Sequence, residues 1–365
     1  MKTLYIFICL LTAVAVSANK PKEEFDFKEN GFYFNIICEE ERTVETTTGD
    51  TNPAPIPEEP DLFYIDGPTS WIGNSYNGSV VVPLTTVHES KAYKVKAIGS
   101  GTFVRCRSLS EVSIPEGITR IDEGAFAFCH KLKRLQMPES VNELGNYTFY
   151  FCLSLTNLIF SENITVIPKG AIFGAGYYET GLEGQNLQLY NYGNIEEIMD
   201  DAFRRSAISE FDFSITKISG SDKLGDNIFT DSYIQEITLP TTWTDADYAV
   251  LIGKICDGGV PQKLAKLVLD RDVPPASDAA QTTDIPEELF SQVALEVPQE
   301  SMDAYLKSAF WSRFNNIKAL GIGSVRENVE GNATYYTTDG LQLQGEPEHG
   351  IFIRRQGNKA AKVIR

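Results

Sequence analysis

The sequence predicts a repeat solenoid of α/β to mainly β class, in which short parallel strands stack into one sheet and both ends are capped. Cys106, Cys129 and Cys152 recur at intervals of 23 residues, and each is followed by the apolar pattern L-x-x-L/V-x-apolar. A phenylalanine also stands three residues before each of these cysteines, at Phe103, Phe126 and Phe149. Because one such repeat cannot bury its apolar side alone, consecutive repeats must stack and share a core.

Strand candidates follow this period along most of the chain. In the copies up to residue 167 the register is unbroken, and further on the copies lose residues and the cysteine. The apolar alternation typical of a half-buried strand nevertheless persists. We predict nine parallel strands, at residues 80–82, 112–114, 135–137, 158–160, 187–189, 211–213, 237–239, 267–269 and 295–297.

The composition limits the classes of protein to be considered. Of 365 residues, 42% are apolar and 22% are charged, which excludes general disorder, a collagen-like fibre and a multi-span membrane protein. Fifty acidic residues against 32 basic ones give a net charge of -18. That charge argues against a broad nucleic-acid-binding face and against docking on anionic lipid, so no nucleic-acid partner is expected.

The first 18 residues have the pattern of a signal peptide. Lys2 precedes an apolar run over residues 4–16, and Val16 and Ala18 supply the small residues that a signal peptidase requires. We expect cleavage after Ala18 and a secreted or surface-displayed protein. The run is shorter than the roughly 20 residues that cross a bilayer, which argues against a membrane anchor. Cys9 lies inside the run, so a lipoprotein is not expected.

The repeat motif, I-G-x-x-A/T-F-x-x-C-x-x-L-x-x-L/V-x-I-P, resembles that of the BspA-like leucine-rich-repeat family. The resemblance covers about residues 78–320 and becomes looser after residue 167. Members are common on the surfaces of Bacteroidetes and of some mucosal protozoa. The resemblance implies a right-handed solenoid with the parallel sheet on its concave face. It also implies a role in adhesion or in interaction with host or neighbouring cells.

Two kinds of irregular segment precede or interrupt the repeats. Residues 19–77 begin with a strand-like alternation, predicted as a cap hairpin, and continue into a Pro, Thr and Glu-rich stretch predicted as a mobile loop. Insertions are predicted near 174–186 and 241–263. In the second, the apolar spacing between Trp243 and Cys256 predicts a helix.

The C-terminal segments are predicted to close the solenoid. An amphipathic helix near 302–316, with Ser301 as its N-cap, suits the open last repeat. Residues 321–365 alternate as a β-hairpin tail. The tail resembles a shortened C-terminal segment of exported Bacteroidetes proteins, some of which use it as a type IX secretion sorting signal. A terminal hairpin without a sorting role is the alternative.

The sequence offers little material for catalysis or metal binding. The histidines are His88, His130 and His349, and His130 occupies a repeat position that elsewhere holds Arg or Leu. We therefore expect no catalytic residue, no cofactor and no metal. The acidic pairs at residues 196–197 and 200–201 could serve a glycosidase, but in so acidic a chain they are better explained as solvated surface.

The periodic cysteines are predicted to be structural. Equivalent positions of stacked strands lie about 4.8 Å apart and point the same way, which suits a buried column of reduced thiols. Phe103, Phe126 and Phe149 are expected to belong to the same structural core. The states of Cys38 and Cys256 are left open.

Candidate binding residues are the ones that flank the inward-facing pair of each strand. They form two columns on the concave face: Glu111, Arg134, Asn157, Asn186, Glu210, Glu236 and Lys266, and Ser113, Gln136, Ile159, Gln188, Asp212, Thr238 and Val268. Tyr177 and Tyr178 in the predicted insertion form a second candidate surface, because exposed aromatic residues dominate many interfaces.

These observations indicate a non-catalytic surface protein that binds a protein or a glycan. An exported carbohydrate-active enzyme is the first alternative, which carboxylates converging on one face would favour. A purely structural surface component is the second. The ligand, the oligomeric state and the source organism are not determined by the sequence.

Overall fold

The computed structural model describes residues 27–29, 32–38, 43–47, 76–177, 186–276, 285–320, 334–337, 342–343, 351–356 and 359–364. The predicted signal peptide lies outside the described residues. So do Tyr178, His349 and most of the predicted insertion near 174–186.

The elements follow the chain in this order. The strands are β1 (Phe27–Glu29), β2 (Phe32–Cys38), β3 (Thr43–Thr47), β4 (Gly78–Val81), β5 (Thr85–His88), β6 (Lys91–Ile98), β7 (Leu109–Ser113), β8 (Arg120–Ile121), β9 (Arg134–Gln136), β10 (Glu143–Leu144), β11 (Asn157–Ile159), β12 (Val166–Ile167), β13 (Gln188–Tyr190), β14 (Glu197–Ile198), β15 (Glu210–Asp212), β16 (Glu236–Thr238), β17 (Lys266–Val268), β18 (Ala294–Val297), β19 (Ile317–Ala319), β20 (Thr334–Thr337), β21 (Gln342–Leu343), β22 (Ile351–Gln356) and β23 (Lys359–Ile364). The helices are α1 (Asp245–Ile255), α2 (Glu287–Gln292) and α3 (Met302–Lys307).

Ten strands form two parallel sheets, ordered β13-β11-β9-β7-β4 and β15-β16-β17-β18-β19. A single parallel bridge between Leu187 and Ile208 links them. Each of the nine predicted strand positions overlaps one of these strands, which confirms the predicted parallel strands. The tenth, β19, escaped prediction because Ile317-Lys318-Ala319 has one large apolar residue and therefore no alternation.

The back of the repeats also carries strands, which the sequence did not predict. There β8 pairs in parallel with β6 and β10, so that Ile98 lies opposite Ile121 and Ile121 opposite Leu144. At two residues each, most of these strands are too short to show a period. The strands β12 and β14 pair in the same way further along.

An N-terminal meander continues this back sheet. Strand β1 pairs antiparallel with β2, β2 pairs antiparallel with β3, and β3 pairs in parallel with β6. Strand β3 lies in the stretch for which we expected a mobile loop, and that expectation does not hold for Thr43–Thr47. Val44 and Thr46 are fully buried, so this polar-looking segment contributes to the core.

A third contact line between repeats runs through the turns that carry the phenylalanines and cysteines. The backbone N–H groups of Phe103, Phe126 and Phe149 donate to carbonyls of the next repeat, at 2.8–2.9 Å. The ring of Phe126 stacks between those of Phe103 and Phe149, with centroids 5.2 and 5.7 Å apart. All three rings are fully buried.

The thiols lie beside this ring column. Cys106, Cys129 and Cys152 are buried and form no disulfide among the described residues. The Cys129 and Cys152 Sγ atoms donate to the carbonyls of Phe103 and Phe126, each at 3.1 Å. Burial raises the pKa of the Cys106 and Cys152 thiols to about 12, so they remain protonated at neutral pH.

We expect Cys106, Cys129 and Cys152 to resist N-ethylmaleimide in the native protein, because an exposed thiolate is the nucleophile that attacks a maleimide and these thiols are buried and protonated. Peptide mass spectrometry after labelling at pH 8 measures this. The same peptides should label fully in denaturing urea, which serves as the control. A disulfide between any two of the three would contradict the stacking register.

A smaller aromatic cluster lies apart from the main core. It contains Phe128, Tyr150, Phe151 and Phe173 among its buried residues, and the Arg105 guanidinium lies 5.0 Å from the centre of the Phe128 ring. The repeat motif leaves the two positions between the phenylalanine and the cysteine unspecified, and these positions hold Phe128, Tyr150 and Phe151. It therefore did not predict this second apolar layer.

The helices differ in how well they were predicted. Helix α1 lies where the spacing placed it, with Tyr248 and Leu251 buried. The predicted helix near 302–316 is shorter. Helix α3 ends at Lys307, and a 3-10 turn at Trp311–Arg313 follows. Ser301 precedes α3, but its side chain makes no capping hydrogen bond.

The C-terminal tail forms a four-stranded antiparallel sheet, ordered β21-β20-β22-β23. It is therefore more than the predicted hairpin. In the part of the chain that the structure describes, no helix has the length and apolar character to cross a bilayer.

Candidate functional site

The outward residues of β7, β9, β11 and β13 form a surface that we call the N-terminal open face. Buried Val112, Leu135 and Leu158 alternate with them and anchor the strands. The outward residues are Glu111, Ser113, Arg134, Gln136, Asn157, Ile159, Gln188 and Tyr190.

The structure corrects the predicted columns at β13. Asn157 lies opposite Gln188 and Ile159 opposite Tyr190. Asn186 therefore lies before the strand, Gln188 belongs to the first column rather than the second, and Tyr190 is the residue that the sequence analysis missed. Ile167 pairs with Ile198, which follows it by 31 residues, and Leu158 pairs with Leu189 at the same interval. This interval can be measured in the sequence, and it indicates the correct register of β13.

Tyr190 and its neighbours form an aromatic surface bordered by carboxamides. The Tyr190 side chain is 36% exposed, and its hydroxyl accepts a hydrogen bond from Asn157 Nδ2 at 3.4 Å. Asn157 Oδ1 in turn accepts from the Thr156 hydroxyl at 3.1 Å. Gln188 Nε2 donates to Ser209 Oγ at 3.1 Å. These bonds orient both amides before any ligand binds.

The outward residues of β15, β16, β17 and β18 form the C-terminal open face, which is acidic. It contains Glu210, Asp212, Glu236, Thr238, Lys266 and Glu296. Val268 is only 7% exposed, so it does not offer the contact that the sequence analysis assigned to it.

Lys266 holds two carboxylates of this face. Its Nζ lies 2.9 Å from Glu236 and 3.5 Å from Glu296. Although burial opposes it, the hydrogen bonds and charges of these two carboxylates raise the Lys266 pKa. Both carboxylates are therefore engaged in ion pairs with one lysine, an arrangement that fits a structural network on the sheet surface.

Of the acidic pairs named from the sequence, Asp200 and Asp201 make contacts within the scaffold. Asp200 Oδ1 accepts the backbone N–H of Asp226 at 2.9 Å, and Asp201 lies 3.3 Å from Arg204. Burial raises the Asp201 pKa, against the opposing effect of Arg204. Within the described ranges, no group of three His, Cys, Asp or Glu residues is arranged to hold a metal ion.

The second candidate surface is partly described. The Tyr177 ring lies 5.5 Å from that of Tyr233, which is 41% exposed. Tyr233 was not named by the sequence analysis, because it lies two repeats away. Tyr178 is outside the described residues.

Comparison with solved structures finds other leucine-rich-repeat proteins. The T. pallidum leucine-rich-repeat protein is 16% identical, covering 67% of this chain and 85% of that one, with a TM-score of 0.38. A leucine-rich cell surface protein from Faecalibacterium prausnitzii A2-165 is 14% identical over 83% and 96% of the two chains, with a TM-score of 0.39. A leucine-rich-repeat protein from Bacteroides ovatus ATCC 8483 is 14% identical over 81% and 77%, with a TM-score of 0.35.

Comparison by sequence identifies the family of the repeats. No curated protein matches this chain. The family model described as a BspA type leucine rich repeat region matches six copies, over residues 86–182 and 181–252. These residues include the strands β7, β9, β11, β13, β15 and β16 of the two parallel sheets. With these copies and the strands that they form, residues 86–252 are a BspA-type leucine-rich-repeat region.

Proposed function

We propose that this protein is an exported, non-catalytic surface protein that binds a carbohydrate chain on its N-terminal open face. The observation that carries the proposal is the exposed Tyr190 ring beside the oriented side chains of Asn157 and Gln188. The family consists of repeat proteins that act as binding modules, which supports a binding role.

Tyrosine and carboxamides together suit the chemistry of a sugar. One face of a pyranose ring presents C–H groups that pack on an aromatic ring, while its hydroxyls need donors and acceptors, which amides supply in pairs. Because Asn157 and Gln188 are already held by Thr156 and Ser209, little side-chain freedom is lost on binding.

A protein partner at the Tyr177–Tyr233 pair is a second candidate. Tyr233 is exposed, and tyrosine is enriched where protein interfaces have hot spots. The two candidates differ in the tyrosine that binding requires, which is Tyr190 for the first and Tyr233 for the second. Export is supported by the signal-peptide pattern of residues 1–18.

Tyr190→Ala is expected to weaken glycan binding by about tenfold or more, because it removes the aromatic surface and leaves the strand intact. Binding to a glycan array that includes mucin oligosaccharides measures this. Tyr233→Ala is the matched control, since it removes a tyrosine of similar exposure elsewhere. Loss of glycan binding in the control alone would contradict a site on the N-terminal open face, and turnover of any glycan would refute the non-catalytic role.

A further inference from the structure

We propose that the glycan is a sulfated polysaccharide, held by a basic patch that consists of Lys131, Lys133 and Arg134. This inference rests on the proposed function, because the patch is continuous with the N-terminal open face through Arg134. Arg134 lies opposite Asn157, which is bonded to Tyr190.

The three cations are exposed on a fixed backbone. Leu132 lies between the two lysines and Leu135 follows Arg134, and at most 1% of either residue is exposed. The Lys133 carbonyl accepts the backbone N–H of Thr156 at 2.9 Å and its hydroxyl at 3.1 Å. The side chains are therefore presented from a rigid edge of the sheet, so an anion that binds there orders only the side chains themselves.

The patch differs from other cations of this acidic chain. Lys131, Lys133 and Arg134 make no ion pair with any described acidic residue. Described cations that do have a carboxylate partner are Arg120, Arg204, Arg205, Lys223, Lys254, Lys266, Arg271 and Arg313. In a protein with 50 acidic residues, three neighbouring cations without such a partner leave their charge for an external anion.

The surroundings favour a sulfate over a purely neutral sugar. Ser110, which precedes Glu111 on β7 and so lies beside Lys133, contributes a hydroxyl that can donate to a sulfate oxygen. Glu111 is the acidic neighbour, opposite Arg134 in the register. Three cations stand against the one acidic residue that the register of the described strands places beside them, so the patch has a net positive charge among these residues.

Charge also sets the direction in which a polyanion could extend. The C-terminal open face contains Glu210, Asp212 and Glu236, and its Lys266 is already held by two carboxylates. A polyanion is repelled there, so it is confined to β7, β9, β11 and β13. Because the chain as a whole is strongly acidic, and exposed charges are screened beyond about 8–10 Å at physiological salt, only a ligand with dense charge at contact range gains from the patch.

The test compares three probes of equal length: a heparin dodecasaccharide, a hyaluronan dodecasaccharide and a neutral dextran oligosaccharide. We expect heparin to bind most tightly and its affinity to fall as salt is raised. Lys131→Glu with Lys133→Glu should weaken heparin binding by about tenfold or more, because two attractions become repulsions. Fluorescence polarisation with labelled probes measures this.

Lys217→Glu with Lys263→Glu is the matched control. Both lysines are exposed and unpaired among the described residues, and the change in net charge is the same. Equal loss in the two variants, or equal affinity for heparin and dextran, would overturn the sulfated ligand. Competition by a glutamate dodecapeptide as strong as that by heparin would reassign the patch to acidic peptides.

The same probes separate this inference from the proposed function. If dextran or hyaluronan binds and Tyr190→Ala abolishes the binding while the lysine variant does not, the proposed function stands and the sulfated ligand is wrong. If no glycan binds, or Tyr190→Ala affects none of them, the proposed function itself is wrong.

Discussion

Replacing Phe126 by alanine is expected to lower the free energy of unfolding by about 3–5 kcal/mol, the usual cost of deleting a fully buried aromatic ring. The Phe126 ring is stacked on both sides, 5.2 Å from Phe103 and 5.7 Å from Phe149. The backbones of the two flanking residues are held by hydrogen bonds to the next repeat, so their rings can fill the cavity only in part. Urea unfolding followed by circular dichroism measures the change.

Leu306→Ala is the control for this substitution. The Leu306 side chain is 54% exposed, so its loss should change stability by no more than about 0.5 kcal/mol. Because repeat proteins can unfold in parts, the slope of the transition should be compared as well as its midpoint. An effect of Phe126→Ala below about 1 kcal/mol would contradict a continuous ring column.

The ring column illustrates which features the sequence could predict. Phe103, Phe126 and Phe149 recur with the cysteines, and a residue that is buried in every repeat must recur in this way. The parallel strands were predictable for the same reason. Their inward residues keep the alternation even where the cysteine is lost, as at Phe211 and Ile237.

Other elements left no comparable signal. The back strands β8, β10, β12 and β14 have only two residues each, so no alternation can show in them. Strand β3 reads as a polar segment, and only its parallel pairing with β6 explains why Val44 and Thr46 are buried. Such long-range pairing is a tertiary effect that local composition does not contain.

The candidate site was predictable in part. Glu111, Arg134 and Asn157 are opposite one another as expected, because the period is unbroken between them. Tyr190 was missed because Leu187 and Leu189 both fit an inward position after the insertion. The register is fixed by the later pairing of Ile167 with Ile198. Since Tyr190 is central to the proposed function, this two-residue shift changes the functional interpretation.

The close approach of neighbouring repeats at Gly145 leads to the second prediction of a large change in stability. Gly145 belongs to the Ile/Leu-Gly pair that opens a repeat, and its backbone N–H donates to the Ile121 carbonyl at 2.7 Å. A Cβ at Gly145 would lie 2.3 Å from the Glu123 nitrogen and 2.5 Å from the Asp122 carbonyl carbon. These are backbone atoms, so they cannot rotate away as a side chain could.

Gly145→Ala is therefore expected to destabilise the protein by about 3 kcal/mol, the upper part of the usual range for overpacking, measured by urea unfolding. Gly253→Ala is its matched partner. Gly253 lies inside α1 and no atom is within 4 Å of its would-be Cβ, so alanine should stabilise the protein by about 0.5–1 kcal/mol through its better helix propensity. If Gly145→Ala destabilises the protein while Gly253→Ala stabilises it, the loss of stability at Gly145 comes from the close approach of the neighbouring repeat and not from the loss of a glycine as such. A Gly145→Ala variant as stable as the unmodified protein would mean that β8 and β10 are further apart than the structure places them.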